Sequence, residues 1–355
     1  MPSAQELTPL GRMGSQMDLS RPNQAVTVRQ AVSSGGEVVI TDMAALIERN
    51  LEAYRQAAHG AFSVATERAL RSDSAVFTEW CSSRALLALP AEPSTVATFI
   101  DDQALTKKPA TIRRYVSSIS HLHRAADVPN PCERSEVKLA LKRMGKTLGT
   151  AQRQAEGLTR RLVDKMMHSS GDTLRDLRNR VVLAVGYDTL ARRSELVALR
   201  VEDLRHGTAG DGTINIRRSK TDQMGAGSIR YIAPDTMRLV MEWVGKSGIE
   251  DGPLLRAVLK GGRVGGALVP MEITRVYKAM ATAAGLPIDT VEAISAHSTR
   301  VGASQDMAAS DRIELPAIMQ AGGWKSPEMV ARYTARQSAK RSGSAKLAEL
   351  QNRTG

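Results

Sequence analysis

The sequence is poor in the residues that mark several common classes of protein. It has two cysteines, Cys81 and Cys132, which have no metal-ligand spacing and predict neither a disulfide framework nor a metal site. No apolar run approaches the roughly 18 residues that a membrane helix needs, so we expect no membrane partner. Aromatic residues make up 3% of the chain, which disfavours stacking of successive single-strand bases on aromatic rings. Because the cysteines predict no disulfide framework, we expect a protein of a reduced, cytoplasmic compartment.

Basic residues are in clear excess. Lysine and arginine total 49 against 37 aspartates and glutamates, which gives a net charge of +12. A surplus of this size favours a polyanionic partner, because each phosphate that a protein neutralises releases condensed counterions. The charge by itself does not exclude a protein that is merely basic and binds no polyanion. Since aromatic residues are scarce, we predict that the polyanion is double-stranded DNA, bound through its backbone.

Composition and apolar spacing divide the 355 residues into a tail, two domains and a linker. Residues 1–37 lack the basic-then-apolar order of a secretory signal and predict a flexible tail. Residues 38–147 predict short helices with short connections, which form a helical bundle, and Ser94 is the predicted cap of one helix. Residues 148–158 lose the apolar period and predict a basic linker, either a solvated connector or a segment that crosses DNA.

The second domain, residues 159–355, is predicted to be mainly α with a small antiparallel sheet. Apolar spacing indicates a long helix around Leu174–Val185. Short runs rich in strand-forming residues at Thr213–Arg217 and Ser228–Ile232 indicate two strands, joined by a turn at Asp222–Gly227.

Two pairs of polar residues in this domain lie three positions apart. Arg192 precedes Glu195, and His297 precedes Arg300. Each pair shares one face if its segment is helical. Alone, the first pair is better explained by a surface ion pair worth less than about 1 kcal/mol. A lone helix histidine is also more often packed than catalytic, so neither pair decides a function.

Three further residues are ordinary one by one but specific in their order. Lys220 lies beside the predicted turn, Trp324 ends a Gly-Gly-Trp motif, and Tyr333 follows after one short segment. Taken separately, each has an ordinary structural explanation: the lysine is solvated, the tryptophan is part of the core and the tyrosine is a helix residue without a catalytic role. The complete order along the chain is Arg…Glu, Lys, His-x-x-Arg, Gly-Gly-Trp and Tyr. This ordered set resembles the tyrosine recombinase (integrase) family.

The resemblance covers most of the chain. In the second domain it includes residues 297–308, His-Ser-Thr-Arg-Val-Gly-Ala-Ser-Gln-Asp-Met-Ala, and residues 317–324, Ala-Ile-Met-Gln-Ala-Gly-Gly-Trp. In the first domain, Ala61-Phe-Ser, Glu79-Trp-Cys and Pro90-Ala-Glu-Pro are similar to the family's helical core-binding domain. The resemblance implies a SAM-like DNA-binding domain and a catalytic domain that ends in an exchange helix, together forming a clamp on DNA.

The resemblance also implies a complete catalytic set for phosphodiester exchange. Two arginines clamp the phosphate, an acid holds the cationic groups, a lysine is the general acid, a histidine and a tryptophan donate hydrogen bonds, and a tyrosine is the nucleophile. In that order these residues are Arg192, Arg300, Glu195, Lys220, His297, Trp324 and Tyr333. Guanidinium groups suit this chemistry because they fork onto phosphate oxygens through paired N–H bonds.

The implied reaction is site-specific recombination through a 3′-phosphotyrosyl intermediate and a Holliday junction. One phosphodiester replaces another, so no ATP is consumed and we expect no cofactor. We also expect no metal, because a two-metal nuclease needs clustered carboxylates that hold ions about 3.5–4 Å apart, and the sequence offers no such set. The alternatives are a type IB topoisomerase or telomere-resolvase-like enzyme, and a non-catalytic DNA-binding accessory protein.

The same resemblance implies partners. It predicts DNA sites with inverted repeats and a homotetramer on two such sites, monomeric when free, in a bacterial nucleoid, plasmid or phage context. Leu347 and Leu350 belong to the candidate exchange helix, and Arg275 falls where a member of the family uses an arginine in the major groove. Candidates for groove or phosphate contacts in the first domain are Arg68, Arg71, Arg113, Arg114 and Arg124.

Overall fold

The computed structural model of the protein describes residues 37–149, 154–218 and 227–353. Contacts divide the chain into two compact units, Met1–Gln152 and Arg153–Gly355. The division lies inside the segment 148–158 that the sequence predicts as a linker. The predicted tail apart from Glu37, and the predicted turn apart from Gly227, lie outside the described residues. No helix in the described parts of the chain is both long enough and apolar enough to cross a membrane.

The first unit is a bundle of helices, as its sequence predicts. The α-helices of its described part are α1 (Glu37–Ala57), α2 (Val64–Ser82), α3 (Pro93–Ala104), α4 (Pro109–Ala125) and α5 (Ser135–Leu148). They enclose an apolar core in which Phe77 and Phe99 are fully buried. Helix α3 has Pro93 in its first turn and Glu92 as its N-cap, so the predicted cap at Ser94 is wrong. Proline is favoured there because the N–H that it lacks has no partner within the first turn.

Two buried polar side chains of this bundle are held by partners within it. The backbone N–H of Ala91 donates to Nε2 of His123 at 2.9 Å, so Nδ1 carries the ring proton and donates to the carbonyl of Ile119 at 2.8 Å. The carboxylate of Asp73 accepts a hydrogen bond from a buried serine of α4 at 3.0 Å and pairs with Arg114 at 3.0 Å. Buried polar groups that find partners in this way contribute to the stability of the fold.

The second unit is mainly helical with two small antiparallel sheets, which agrees with the predicted fold class. The helices of its described part are α6 (Arg160–His168), α7 (Leu174–Thr189), α8 (Arg193–Val197), α9 (Pro234–Ser247), α10 (Pro270–Ala283), α11 (Ile288–Ala293), α12 (Ser298–Ala309), α13 (Leu315–Gly322), α14 (Pro327–Lys340) and α15 (Gly343–Leu350). Residues 181–185 of α7 are all buried, because α9, α10 and α12 pack around this helix. A capping box between Thr173 and Asp176 fixes its first turn.

The strands of the second unit are β1 (Leu204–His206), β2 (Gly212–Ile216), β3 (Ser228–Ile232), β4 (Arg256–Val258) and β5 (Val264–Ala267). Strands β1, β2 and β3 form one antiparallel sheet in that order, with Thr213 opposite Tyr231, and β4 pairs with β5. The prediction of β2 and β3 is confirmed to within one residue. The other strands have three or four residues each, which is too short for an alternating pattern to show.

Candidate active site

Arg192 and Glu195 form the start of helix α8. Arg192 is the residue just before the helix, and its backbone N–H donates to Oε2 of Glu195 at 2.8 Å. Its guanidinium Nη1 donates to Oε1 of the same carboxylate at 2.7 Å. Glu195 is buried and Arg192 is half-buried. The acid therefore holds both the backbone and the side chain of the arginine, and the pair is not the exposed ion pair of the alternative interpretation.

Arg300, on helix α12, lies inside the unit with 2% of its surface exposed. Its Nη1 donates to the carbonyl of Leu190, and its Nη2 donates to the carbonyl of Gly322 at 2.6 Å. Leu190 ends helix α7 in the left-handed conformation, with φ 51°. Residues with a Cβ adopt that conformation only where the surroundings enforce it. Two backbone carbonyls thus fix the plane of this guanidinium.

The indole of Trp324 contacts both Arg300 and Tyr333. The Cζ atom of Arg300 is 4.2 Å from the indole centroid, and the ring centroids of Trp324 and Tyr333 are 5.5 Å apart. Trp324 is buried, and its Nε1–H has no hydrogen-bond partner among the described residues. An unpaired buried donor costs about 1–3 kcal/mol, so such a donor marks a place where a ligand can supply the acceptor.

The two glycines before Trp324 make room for neighbouring side chains. A Cβ at Gly322 would lie 2.1 Å from the indole ring. Gly323 ends helix α13 with φ +62°, and its Cβ would lie 2.3 Å from Nη2 of Arg230. The Gly-Gly-Trp motif is therefore explained by one left-handed residue and by two close approaches that a side chain would block.

His297 immediately precedes α12 and is half-buried among the arginines. Burial lowers the pKa of His297, and the positive charges of Arg300 and Arg192 lower it further. The charge of Glu195 acts in the opposite direction on the same pKa. The imidazole is therefore neutral at neutral pH, with one nitrogen that donates a hydrogen bond and one that accepts.

Tyr333 lies half-buried on helix α14, where Nε2 of Gln154 donates to its backbone carbonyl at 3.3 Å.

The guanidinium of Arg300 stays charged at neutral pH. Burial lowers the pKa of Arg300 to about 10, and the charge of Arg192 is the second cause. The structure thus brings together every predicted catalytic residue that it describes. Lys220 lies outside the described residues.

Comparison with known proteins assigns the family of this chain. Residues 156–340, more than half of the chain, match the phage integrase family. The chain belongs to this family. It is 30% identical over 292 residues to the recombinase Cre of Escherichia phage P1, across 77% of this chain and 84% of Cre. It is also 30% identical over 282 residues to an integrase/recombinase XerD homolog of Selenomonas ruminantium, across 76% of this chain and 80% of that protein. The resemblance to tyrosine recombinases is confirmed.

Solved structures of other integrases share the fold. The Tn1549 transposon integrase in complex with transposon right end DNA has a TM-score of 0.60 at 12% identity, over 86% of this chain and 99% of that one. A lambda integrase dimer bound to a COC′ core site has a TM-score of 0.55 at 15% identity, over 81% and 94%. At such low identity the likeness supports the fold alone.

One buried arginine of this integrase was missed by the sequence analysis. Arg230, on strand β3, is 8% exposed, and its Nη1 donates to the carbonyl of Gln320 at 2.6 Å. The strand period of two puts Arg230 on the same face as the buried Ile232, while the apolar residues between and before them are exposed. The sequence carries no signal for this burial, because apolar residues lie on both faces of the strand and only the folded sheet shows which face is inside.

The predicted DNA-contact residues of this integrase lie on the surface. Arg275, on α10, is exposed and pairs with Glu272 at 2.9 Å. In the first unit the predicted contacts lie exposed on two helices: Arg68 and Arg71 on α2, and Arg113, Arg114 and Arg124 on α4. Exposure is what a phosphate contact requires, and their role in DNA binding stays a prediction.

Proposed function

We propose that Tyr333 of this enzyme attacks a phosphodiester of duplex DNA and forms a covalent 3′-phosphotyrosine. The enzyme is a site-specific recombinase of the tyrosine type, by its family and its relatives. The observation that carries the residue assignment is the row of contacts from Arg300 through Trp324 to Tyr333, with separations of 4.2 Å and 5.5 Å. This row puts a phenol beside a guanidinium and an unpaired indole N–H.

The proposed attack forms one bond and breaks one. The phenolic oxygen of Tyr333 bonds to phosphorus while the bond from phosphorus to the 5′ oxygen breaks. The phenol proton passes to solvent or to the neutral imidazole of His297, and Lys220 protonates the departing oxygen as general acid. The 5′-hydroxyl of a second strand then attacks the phosphotyrosine, so strands are exchanged through a Holliday junction without ATP.

In the proposed reaction, four groups stabilise the negative charge on the reacting phosphate. They are the guanidiniums of Arg192 and Arg300, the imidazole of His297 and the indole N–H of Trp324. Each preorganised donor in an anion hole of this kind contributes about 2.7–4 kcal/mol to lowering the barrier. Glu195 acts on the arginine rather than on the substrate, because its carboxylate holds Arg192.

We propose that the guanidiniums of Arg192 and Arg300, with the neighbouring donors, take the place of the metal ions of other phosphoryl-transfer enzymes. Guanidinium groups and preorganised donors neutralise the developing charge, so the reaction needs no divalent ion. Covalent cleavage is therefore expected to continue at an unchanged rate in EDTA. Loss of cleavage that added Mg²⁺ restores would contradict this part of the proposal.

We propose that the DNA sites carry inverted repeats and that four protomers assemble on two sites. A lambda integrase tetramer bound to a Holliday junction shares the fold, with a TM-score of 0.56 at 14% identity over 82% of this chain and 77% of that one. Helix α15 has no buried residue, and its Leu347 and Leu350 are 51% and 82% exposed, which suits a helix that packs on a neighbouring protomer. Deletion from Ala339 onward should abolish crosslinked tetramers on DNA, and unchanged assembly would refute the exchange role.

The central test compares wild type with Tyr333→Phe, which removes only the nucleophilic hydroxyl. Both proteins are incubated with sheared genomic DNA of the source cell, and DNA that stays bound after denaturation is sequenced. Wild type should enrich discrete sites with inverted repeats around a short spacer, and the variant should enrich none. Equal covalent capture by both proteins would contradict the assignment of Tyr333 as the nucleophile.

A second assay separates recombination from simple relaxation. Two copies of a captured site are placed on one DNA, and exchange of their flanks is measured beside loss of supercoils. Relatives that cover more than three quarters of the chain are recombinases, which favours exchange over the topoisomerase-like and non-catalytic alternatives. Relaxation without exchange of flanks would support the topoisomerase-like alternative.

A further inference from the structure

We propose that Arg230 is a positioning residue that holds the turn carrying Trp324 and so sets the indole against Arg300 and Tyr333. The proposal rests on the function proposed above for Tyr333, and it adds a residue to which no step of that mechanism assigns a part. Arg230 acts through the backbone of α13 rather than on the DNA, so it is not itself a catalytic residue.

The first support is what Arg230 contacts. Its Nη1 donates at 2.6 Å to the carbonyl of Gln320, in the last turn of α13. Its Nη2 occupies the space beside Gly323 that a Cβ would fill, at 2.3 Å. A side chain at that position would therefore push the guanidinium away from the turn. The guanidinium and the glycine fit each other, and Trp324 is the next residue along the chain.

The second support is that two buried arginines hold the same turn from two elements. Arg230 of β3 donates to Gln320, and Arg300 of α12 donates to Gly322 at 2.6 Å. The carbonyl of Gln320 also accepts from the backbone N–H of Gly323 at 3.1 Å. Carbonyls at the end of a helix carry partial negative charge, so the two guanidiniums are additional donors that stabilise the helix end. If one of the two is removed, the turn is held on one side only.

The third support is the charge around Arg230. Burial lowers the pKa of Arg230, the charge of Glu195 raises it and the charge of Arg192 lowers it. Arg230 in turn lowers the pKa of Arg300. It therefore belongs to the same electrostatic cluster as the phosphate clamp, and Glu195 is the acid that offsets the repulsion within it.

The fourth support is a comparison with a buried arginine elsewhere in the same unit. Arg178, 5% exposed, donates from Nε to Asn179 at 2.9 Å and from Nη1 to the carbonyl of Arg256 at 3.3 Å. Arg178 thus contacts strand β4, whereas Arg230 contacts the last turn of α13, the turn that precedes Trp324. A substitution of Arg178 is therefore the matched control for one of Arg230.

The position of β3 adds a link to the general acid. The segment that joins β2 to β3 contains Lys220, and Arg230 is the residue of β3 that bonds to α13. The strand that comes after the general acid is thereby tied to the turn that carries the indole. Because Arg230 is buried and bonds to α13, its loss should affect the rate of cleavage and leave the affinity for DNA nearly unchanged.

The test uses the full chain with Arg230→Met, which keeps the length of the side chain and removes its donors, and Arg230→Lys, which keeps one charged donor. Arg178→Met is the control. The first readout needs no DNA: the three tryptophans give three indole N–H resonances, and Trp324→Phe identifies the one that belongs to Trp324. The second readout is single-turnover cleavage of a captured duplex site, at saturating protein, together with the dissociation constant.

We expect Arg230→Met to shift the Trp324 indole resonance and to slow cleavage about 100-fold, the scale for a misplacement of about 1 Å in a catalytic site. Arg230→Lys should recover part of both signals, and the dissociation constant should change less than about threefold in either variant. Arg178→Met should leave the Trp324 resonance and the cleavage rate in place. A Trp324 resonance that Arg230→Met does not move, or an equal loss of rate in Arg178→Met, overturns the proposal.

The two readouts separate this proposal from the one on which it rests. If Tyr333 is not the nucleophile, cleavage persists in Tyr333→Phe, while the resonance of Trp324 still responds to Arg230→Met. If Arg230 has no positioning role, Tyr333→Phe abolishes cleavage while Arg230→Met cleaves like wild type. Where Arg230→Met does not fold, Arg230→Lys supplies the same comparison.

Discussion

The two units of the chain differ in whether a buried polar ring has hydrogen-bond partners. In the first unit, both ring nitrogens of His123 bond to the backbone, at 2.9 Å and 2.8 Å. In the second unit, the indole N–H of Trp324 is buried without a partner among the described residues. Trp243 of the same unit donates to the carbonyl of Leu254 at 2.8 Å, so the difference does not arise from residue type. A ring satisfied in the free protein stabilises the fold, and an unsatisfied one is available to a ligand.

Trp324→Phe tests the role of the unpaired indole N–H most directly. Because the indole N–H bonds to nothing described in the free protein, its loss should slow covalent cleavage by about 100-fold to 1000-fold, as for a donor of an anion hole. The free energy of unfolding should fall by less than about 1.5 kcal/mol, since only a small volume is lost. Single-turnover cleavage and urea unfolding measure the two effects.

Trp243→Phe is the matched control for that variant. It leaves the carbonyl of Leu254 without its donor and should lower the free energy of unfolding by about 2–4 kcal/mol. The cleavage rate of the folded protein should stay unchanged. The reverse pattern, with Trp324→Phe the less stable and Trp243→Phe the slower variant, would show that the unpaired indole N–H has no special role.

His123→Ala removes the imidazole whose two nitrogens are both hydrogen-bonded. It leaves the N–H of Ala91 without its acceptor and removes one of the donors to the carbonyl of Ile119, and should destabilise the first unit by about 2–3 kcal/mol. The indole resonance of Trp80, which lies in that unit, reports its unfolding in urea. His121→Ala is the control, since His121 is half-buried and makes edge contacts to the rings of Tyr54 and Phe62. A loss no greater than in the control would contradict the assignment.

The same ring predicts a dependence of stability on pH. Burial lowers the pKa of His123 below its ordinary value of 6.5, so the unfolded chain takes up this proton at a higher pH than the folded one. Stability is therefore fully present above pH 6.5 and falls as the pH drops, by at most about 1.4 kcal/mol per pH unit from this group. His123→Gln, which does not titrate, should flatten that part of the curve for the first unit. An identical slope in the variant would refute the argument.

The smallest expected effect lies at the surface of the second unit. Arg275 and Glu272 form an exposed pair, so Glu272→Ala should change the free energy of unfolding by less than about 0.5 kcal/mol. Arg275→Ala should be as mild on stability, yet weaken DNA binding by about 1–3 kcal/mol if its guanidinium contacts a base. Filter binding at two salt concentrations and thermal unfolding check both expectations. A large loss of stability in either variant would contradict this view of the pair.

The order of residues along the chain predicted more of the site than any local pattern did. Each of Arg192, His297 and Tyr333 is ordinary by itself, and only the sequence of motifs pointed to one cluster. The structure brings these residues together because α7, α12 and α14 are packed in one core, and no spacing rule contains that packing. The helical character of both units was predictable from apolar periodicity, which long segments display well.

The features that the sequence did not predict depend on tertiary contacts. Strand β1 has three residues, and its pairing with β2 is visible only in the folded sheet. The cap of α3 was misplaced at Ser94 because a serine near a proline is a common start signal, whereas Pro93 itself starts this helix. The burial of Arg230 is not predictable, because an arginine in a short strand is usually exposed and only the folded sheet, in which Ile232 is buried, shows which way it faces.

The segment through which the chain enters the second unit has a mechanical consequence. The N–H of Glu156 donates to the carbonyl of Ala293 at 3.1 Å, and the N–H of Leu158 donates to that of Ser298 at 2.9 Å, on either side of His297. The side chain of Gln154 reaches the backbone of Tyr333. A pull on the chain ahead of Gln154 is thus borne first by helix α14, which carries Tyr333, and by the loop that carries His297, so tension there strains these two residues before it strains the core.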